Sequence, residues 1–189
     1  MAARPVLDDS TLTRALYSYD ASLYRVTPQA VGFPTGVPDL VALVDLARSE
    51  RLPLTMRGAG TSCAGNAVGP GLVVDTARHL HGITAIDPDA RTATVEPGVV
   101  HAQLQREARA HGLRFGPDPS THSRCTIGGM IGNNACGPRA LGYGRTADNV
   151  IAVDVVTGTG ERLHLDSRQD LTAIDSPVLR GLRELVMAN

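Results

Sequence analysis

The feature that most constrains this chain is a run of small residues at positions 117–137, which reads PDPSTHSRCTIGGMIGNNACG. We call it the glycine segment. It holds the pair Gly128 and Gly129, a third glycine at Gly132 and the amide pair Asn133 and Asn134. Glycine lacks the Cβ atom that keeps a ligand away from the main chain, so this run favours close contact between the backbone and a large ligand. We therefore predict a turn-rich binding segment here, and no helix packed into a core.

A second run of the same kind, RGAGTSCAGN at positions 57–66, follows an apolar stretch. We call it the glycine loop. It fails the Rossmann pattern because the last required glycine is Cys63, and it fails the Walker pattern because the required lysine is Asn66. Main-chain amides in such a turn still suit a pyrophosphate. Two backbone cradles in one small domain predict a dinucleotide held along its length.

Composition excludes several classes of function. The formal net charge is −1 and tryptophan is absent, which argues against nucleic acid as a partner. All 18 basic residues are arginine, so this chain offers no lysine for a Walker-type site or a Schiff base. It has no apolar run of about 20 residues and no signal-peptide pattern, so we expect no integral membrane segment. Its 3 cysteines lack Cys-x-x-Cys spacing, which favours a reduced, cytoplasmic protein without a metal site.

The order of predicted elements indicates an α+β fold of two subdomains. Residues 1–36 are interpreted as a polar, extended lead-in. Residues 37–80 are predicted to form a first subdomain, a small parallel unit of one helix and two strands, Leu52–Met56 and Gly71–Asp75. Residues 81–189 are predicted to form a second subdomain, a mostly antiparallel sheet with flanking helices, built from two hairpins, a helix near 99–111 and a last helix opened by Ser176 and Pro177.

These residues resemble the FAD-binding (PCMH-type) domain of the vanillyl-alcohol oxidase/p-cresol methylhydroxylase superfamily. The nearest resemblance is to the branch of D-lactate dehydrogenases, glycolate oxidase flavin subunits and D-2-hydroxyglutarate dehydrogenases. It covers most of residues 20–165, and the stretches that carry it are 28–34, 57–68, 95–99, 117–137, 143–144 and 150–160.

The resemblance implies FAD as cofactor, with the glycine loop around the pyrophosphate. It places Pro117, Asp118, Ser120 and Thr126 along the ribityl chain and flavin, and Gly128 to Gly137 under the pyrophosphate and isoalloxazine. A covalent flavin link through Cys63 is not expected, and Cys63, Cys125 and Cys136 are interpreted as packing residues. The expected cofactor-binding residues are Arg57, Gly58, Ala59, Gly60, Thr61, Ser62, Gly65, Asn66, Pro117, Asp118, Ser120, Thr126, Gly128, Gly129, Gly132, Asn133, Asn134, Gly137 and Val150.

The implied reaction is oxidation of a 2-hydroxy acid by hydride transfer to the flavin. Its catalytic base matches no residue of this chain, so we expect it in a further C-terminal domain that binds the substrate, with an iron–sulfur domain or another electron acceptor as a possible partner. Two alternatives stay open: another oxidase or reductase reaction on the same scaffold, and an FAD-binding module without catalysis.

Overall fold

The computed structural model describes residues 6–188, and these divide into two compact units on either side of the bond between Asn149 and Val150. Within the described residues no helix is both long enough and apolar enough to cross a bilayer.

The first unit begins with a four-stranded sheet. Its strands are β1 (Val6–Asp8), β2 (Ala30–Phe33), β3 (Leu54–Arg57) and β4 (Leu72–Asp75), arranged in the order β1-β2-β4-β3. β2 and β3 both run parallel to β4, and β1 pairs antiparallel with β2. β3 and β4 match the two strands of the predicted parallel unit. β3 leads into the glycine loop at Arg57, and β4 ends at Asp75, which is the partner of Arg57 in the sheet.

Both faces of this sheet are covered. Helix α2 (Val37–Ser49) places Leu43 and Ala47 against one face, where they pack on Leu72 and Val74. The opposite face carries a second apolar cluster of buried strand residues beneath Tyr17. All four residues of β4 are buried, as expected of a parallel strand in the middle of a sheet.

Within the described part of residues 1–36, two strands agree with the predicted extended chain, and a short helix was not predicted. This stretch contributes β1, β2 and a short helix, α1 (Thr11–Leu16), which Ser10 caps through its hydroxyl. Pro28 and Pro34 flank β2, so the extended chain that these prolines predict is confirmed there. The subdomain boundaries after residues 36 and 80 stay predictions.

The remainder of the first unit surrounds a separate core. It consists of the hairpin β5 (Ile83–Asp87) and β6 (Thr92–Val95) and the helices α3 (His101–Arg109), α4 (Ile127–Asn133) and α5 (Ala140–Tyr143). Gly112 follows α3 with φ +68°, the left-handed conformation that ends many helices. The core is formed by Val99, Leu104, Cys125, Ile127 and Met130.

The second unit is a hairpin followed by a helix. Strands β7 (Ala152–Val156) and β8 (Arg162–Asp166) pair antiparallel, and helix α6 (Pro177–Met187) begins with its proline after the cap Ser176. The buried Ser176 hydroxyl donates to Glu161 Oε2 at 2.9 Å, which ties the start of α6 to the beginning of β8. The predicted hairpin and terminal helix are confirmed, and the α+β class with them.

Candidate functional site

The glycine loop leaves the carboxyl end of β3, the edge at which parallel sheets bind ligands. Gly60 and Gly65 have φ of +66° and +80°, a left-handed conformation that side chains disfavour. Among the described residues, no acceptor is found for the main-chain N–H groups of positions 60–63. Backbone amides of a glycine turn that the protein leaves available are suited to phosphate oxygens.

Arg57 supports this loop from inside the protein. Its Nη1 donates to the carbonyls of Tyr19 and Ala67, both at 3.0 Å, and its guanidinium lies 5.0 Å from the ring centre of Tyr17. A Cβ atom on Gly60 would lie 2.5 Å from Arg57 Nη2. The side chain therefore occupies the space beneath the turn, and it makes its polar contacts with the chain itself.

A stretch that sequence reasoning missed, residues 19–24, lies against the same loop. Ala21 N donates to Gly60 O at 3.0 Å, and Asp20 Oδ2 accepts from Ala67 N at 3.2 Å. A Cβ atom on Gly65 would lie 2.7 Å from the ring of Tyr24. Asp20 Oδ1 accepts from Ser22 N at 2.8 Å in an Asx turn, but such a local turn carries no signal for a contact with residues 60–67.

The prediction that the glycine segment forms no packed helix is wrong. Helix α4 runs through its centre, and Ile127 and Met130 bury their side chains in the core. Thr126 caps the helix, accepting from Gly129 N at 3.3 Å. Spacing of three between Ile127 and Met130 was the missed signal, because the glycines between them outweighed it in the prediction.

The first-turn amides of α4 are all used by the protein. Ile127 N donates to Val99 O and Gly128 N donates to Pro97 O, both at 2.8 Å, and Met130 N donates to Thr126 O at 2.9 Å. This helix therefore offers no free amides at its start. The glycine segment differs in this respect from the glycine loop.

The glycines of the segment fall into two groups. A Cβ atom on Gly128 would lie 2.6 Å from Pro97 Cβ, and one on Gly137 would lie 2.3 Å from Asp118 O, so packing of the chain accounts for both. Gly132 is different, because a Cβ atom there would meet nothing within 4 Å. An exposed glycine in a helix costs stability relative to alanine, and contacts within the described chain do not explain this one.

The two glycine-rich stretches meet. Asn66 Nδ2 in the loop donates to Asn133 Oδ1 at the end of α4, at 2.9 Å. A Cβ atom on Gly58 would lie 2.2 Å from Thr126 Oγ1, so the loop backbone packs directly on the cap of α4. The two stretches are therefore in direct contact, and their joint binding of one ligand stays a prediction.

Around this junction, the two ends of the glycine segment are held together. Asp118 Oδ2 forms an ion pair with Arg139 Nε at 3.2 Å, and Asp118 Oδ1 accepts from Arg139 N at 3.4 Å. Asn134 adopts φ +46° at the end of α4 and accepts through Oδ1 from Ala147 N at 3.0 Å. The side chains of Asn133 and Ser120 are exposed, so they are accessible to a ligand.

The cysteines divide between core and surface. Cys125 is buried in the core, and burial raises the pKa of its thiol, as expected of a packing residue. The interpretation of Cys63 and Cys136 as packing residues is wrong, because both are exposed.

The fold is α+β, and the site joins a glycine loop with available amides to the end of a glycine-rich helix. Residues 28–166 match the FAD binding domain family, so the chain belongs to that family. It is 39% identical over 155 residues to a D-2-hydroxyglutarate dehydrogenase of Pseudomonas putida, an alignment that covers 80% of this chain and 15% of that protein. It is 38% identical over 156 residues to the glycolate oxidase subunit GlcD of Bacillus subtilis, with coverage of 82% and 33%. The chain thus spans a third or less of the length of these relatives.

Solved structures share the fold. An alkyldihydroxyacetonephosphate synthase superposes with a TM-score of 0.77 at 21% identity, covering 88% of this chain and 33% of that one. A BBE-like 1 variant of Physcomitrella patens gives a TM-score of 0.76 at 20% identity, with coverage of 88% and 36%. These likenesses confirm the predicted fold class.

The residues present fit FAD as the cofactor. The loop supplies available amides for a pyrophosphate, and Gly132 leaves open space beside the Asn66–Asn133 contact. The contacts of the individual predicted residues with FAD stay predictions, and Val150, which starts the second unit, is among them.

Proposed function

We propose that this chain is the FAD-binding part of an oxidoreductase that oxidises a 2-hydroxy acid of the D-lactate, glycolate or D-2-hydroxyglutarate type. The observation that carries the proposal is the junction of the glycine loop with the glycine segment at Asn66 and Asn133. The substrate class is supported by relatives that are named D-2-hydroxyglutarate dehydrogenase and glycolate oxidase subunit GlcD.

The glycine loop holds the pyrophosphate in this proposal. The amides of positions 60–63 supply the hydrogen bonds, and the hydroxyls of Thr61 and Ser62 lie in the same turn. Ser62 Oγ already accepts from Ala64 N and Asn66 N at 3.2 and 3.3 Å, which orders the far side of the turn. Arg57 acts from beneath, and its charge lies near the phosphates without needing to contact them.

The glycine segment serves the ribityl chain and the ring system. Ser120 and Asn133 supply exposed polar groups, while Pro117, Asp118 and Thr126 fix the main chain around them. Gly132 admits a flat ligand close to the surface of α4. FAD, when bound, supplies the hydride acceptor for the reaction.

Further parts of the proposal lie outside the described residues. A base for the hydroxyl proton and a clamp for the carboxylate belong to a substrate domain elsewhere in the protein. An iron–sulfur domain or another electron acceptor takes the electrons, and the protein is cytoplasmic.

Cofactor binding is tested by adding FAD to purified, flavin-free protein and following flavin fluorescence and visible absorbance. We expect a yellow complex that releases intact FAD on denaturation. Gly60→Ala should weaken binding, whereas Gly112→Ala is a matched control, since both glycines have positive φ and only Gly60 lies in the loop. Absence of FAD binding by the purified protein would overturn the proposal.

The substrate class needs a separate measurement. Anaerobic addition of D-lactate, glycolate or D-2-hydroxyglutarate to the FAD-loaded full-length protein should bleach the flavin, while the 189 residues alone should bind FAD without turnover. Bleaching by a reduced nicotinamide only would favour the alternative reductase reaction. Full-length protein that binds FAD and responds to none of these compounds would favour a non-catalytic module.

A further inference from the structure

His101, the first residue of α3, carries a buried polar atom that the proposed function does not use. The side chain is 2% exposed, and Nε2 lies 2.8 Å from the carbonyl oxygen of Pro117. Nε2 also lies 3.2 Å from Gln105 Nε2, a donor that is itself bound to Phe115 O. The contact with Pro117 O is the shorter of the two, and a carbonyl oxygen only accepts, so we assign the proton to Nε2. Nδ1 is buried and has no hydrogen-bond partner among the described residues. Adding a proton to Nδ1 would therefore create a buried donor without a partner and would give the buried ring a positive charge.

The contact with Pro117 is one of a pair made by α3. One turn further along, Gln105 Nε2 donates to Phe115 O at 2.6 Å and Gln105 Oε1 accepts from Phe115 N at 3.2 Å. His101 Nε2 is the donor that the described residues provide to Pro117 O. Two side chains of one helix thus fix the main chain immediately before and at the start of the glycine segment.

Pro117 adjoins the contacts that join the start of the glycine segment to its far end. Asp118, the next residue, packs its carbonyl against Gly137 and pairs with Arg139 through its carboxylate. A shift of Pro117 would therefore move both ends of the stretch that we assign to the ribityl chain and the flavin. α4 and its contact with Asn66 lie between those ends.

We propose that His101 is a positioning residue for the cofactor: its neutral imidazole holds Pro117 and Asp118 in the arrangement that binds FAD, and protonation of Nδ1 releases them. This inference rests on the proposed function, because it assumes that the glycine segment contacts FAD. FAD retention then depends on pH through a residue behind the cofactor site.

The surroundings of His101 determine the direction in which its pKa is shifted. Burial lowers the pKa of His101, and the charges of His122 and Arg114 lower it further, while the hydrogen bond to Pro117 O and the charge of Asp118 oppose the shift. The rings of Phe115 and His122 lie 6.0 and 6.2 Å away.

The sign of the pH dependence follows from this shift. An unfolded histidine has a pKa of about 6.5, and the folded value of His101 is lower. Between these two values the unfolded chain binds more protons, so the stabilisation from neutral His101 is complete above pH about 6.5 and is lost as the pH falls toward the folded pKa. The carboxylates with lowered pKa values, such as Asp20, titrate at lower pH.

The test measures the FAD dissociation constant of the purified protein between pH about 8 and about 5, the range in which histidine titrates. His101→Gln keeps an N–H donor near the Nε2 position and does not titrate, so affinity at pH about 7.5 should stay within a few-fold of wild type and the acid loss should disappear. His101→Leu leaves Pro117 O without its donor and should weaken FAD binding roughly tenfold at both ends of the range. His122→Gln is the matched control and should keep the acid loss, because its side chain is exposed.

A second readout needs no cofactor. In flavin-free protein, ¹⁵N shifts of the imidazole should report the Nε2–H form of His101 at neutral pH, and hydrogen exchange of residues 115–120 should speed up on acidification in wild type and not in His101→Gln. The inference would be overturned if His101→Gln still lost FAD affinity on acidification. It would also be overturned if hydrogen exchange of residues 115–120 in the wild type did not change with pH. If wild type bound no FAD at any pH, the proposed function would fail instead, and the flavin-free readout would still decide whether His101 holds the turn.

Discussion

The glycine loop and the glycine segment are similar in composition and opposite in construction. The loop is irregular, two of its glycines have positive φ, and its amides at 60–63 find no acceptor among the described residues. The segment is built around α4, whose first-turn amides are all satisfied and whose apolar residues join the core. Glycine serves backbone conformation in the loop and close approach in the segment. Glycine-rich sequence alone therefore does not distinguish a loop with available amides from a helix whose amides are satisfied.

The largest expected effect comes from forcing the two stretches apart. Gly58→Ala places a Cβ atom against Thr126 Oγ1, and we expect a loss of about 2–3 kcal/mol in the free energy of unfolding, as for overpacked cores. Chemical denaturation measures it. Thr126→Ala alone should cost about 1 kcal/mol through loss of the helix cap.

The double variant sharpens the same comparison. Removing Thr126 Oγ1 removes the nearest clash, because the next atom, Thr126 Cβ, would lie 3.4 Å from the new Cβ. Gly58→Ala in the Thr126→Ala background should therefore cost roughly 1 kcal/mol or less. Additive effects of the two changes would contradict direct packing of the loop on the cap of α4.

A smaller effect should follow from removing the support beneath the loop. Arg57→Met keeps the bulk and loses the donors to Tyr19 O and Ala67 O, so we expect a loss of about 1–2 kcal/mol. Hydrogen exchange of flavin-free protein should then speed up at residues 58–67 and stay unchanged at 127–133. Arg48→Met, on the exposed side of α2, is the control. Equal loosening of both stretches would contradict the separate support of the loop.

The smallest effect has an unusual sign. Gly132→Ala adds a methyl group to an open position in a helix, so it should stabilise flavin-free protein by about 0.5–1 kcal/mol while weakening FAD binding. Gly181→Ala in α6 is the matched control, since a Cβ atom there also meets nothing within 4 Å, and it should stabilise without changing affinity. Unchanged FAD affinity in Gly132→Ala would remove α4 from the cofactor surface.

The parts of the fold that follow periodicity were predictable. β4, the hairpins and α6 lie where apolar spacing and turn residues place them, because each is specified by its own neighbours in sequence. α4 was missed because its stability comes from tertiary burial of Ile127 and Met130, which outweighs the low helix propensity of three glycines. The support of the loop by residues 19–24 was also out of reach, since it depends on contacts between distant positions such as Ala21 and Gly60.

The candidate site shows the same division. Its composition was readable, because glycines and small amides are visible in sequence as a class. The sequence did not show which of these glycines the chain needs for its own packing. Gly128 and Gly137 are needed for it, and Gly132 is not. The position of His101 was not predictable either, since its burial and its contact with Pro117 O follow from the fold.

The most direct test of the account is hydrogen exchange across the whole chain with and without FAD. Joint enclosure of one cofactor predicts that FAD protects residues 58–66 and 128–137 together, with the same dependence on FAD concentration, and that α2 and β4 are unaffected. Protection of one stretch without the other, or at different FAD concentrations, would contradict it.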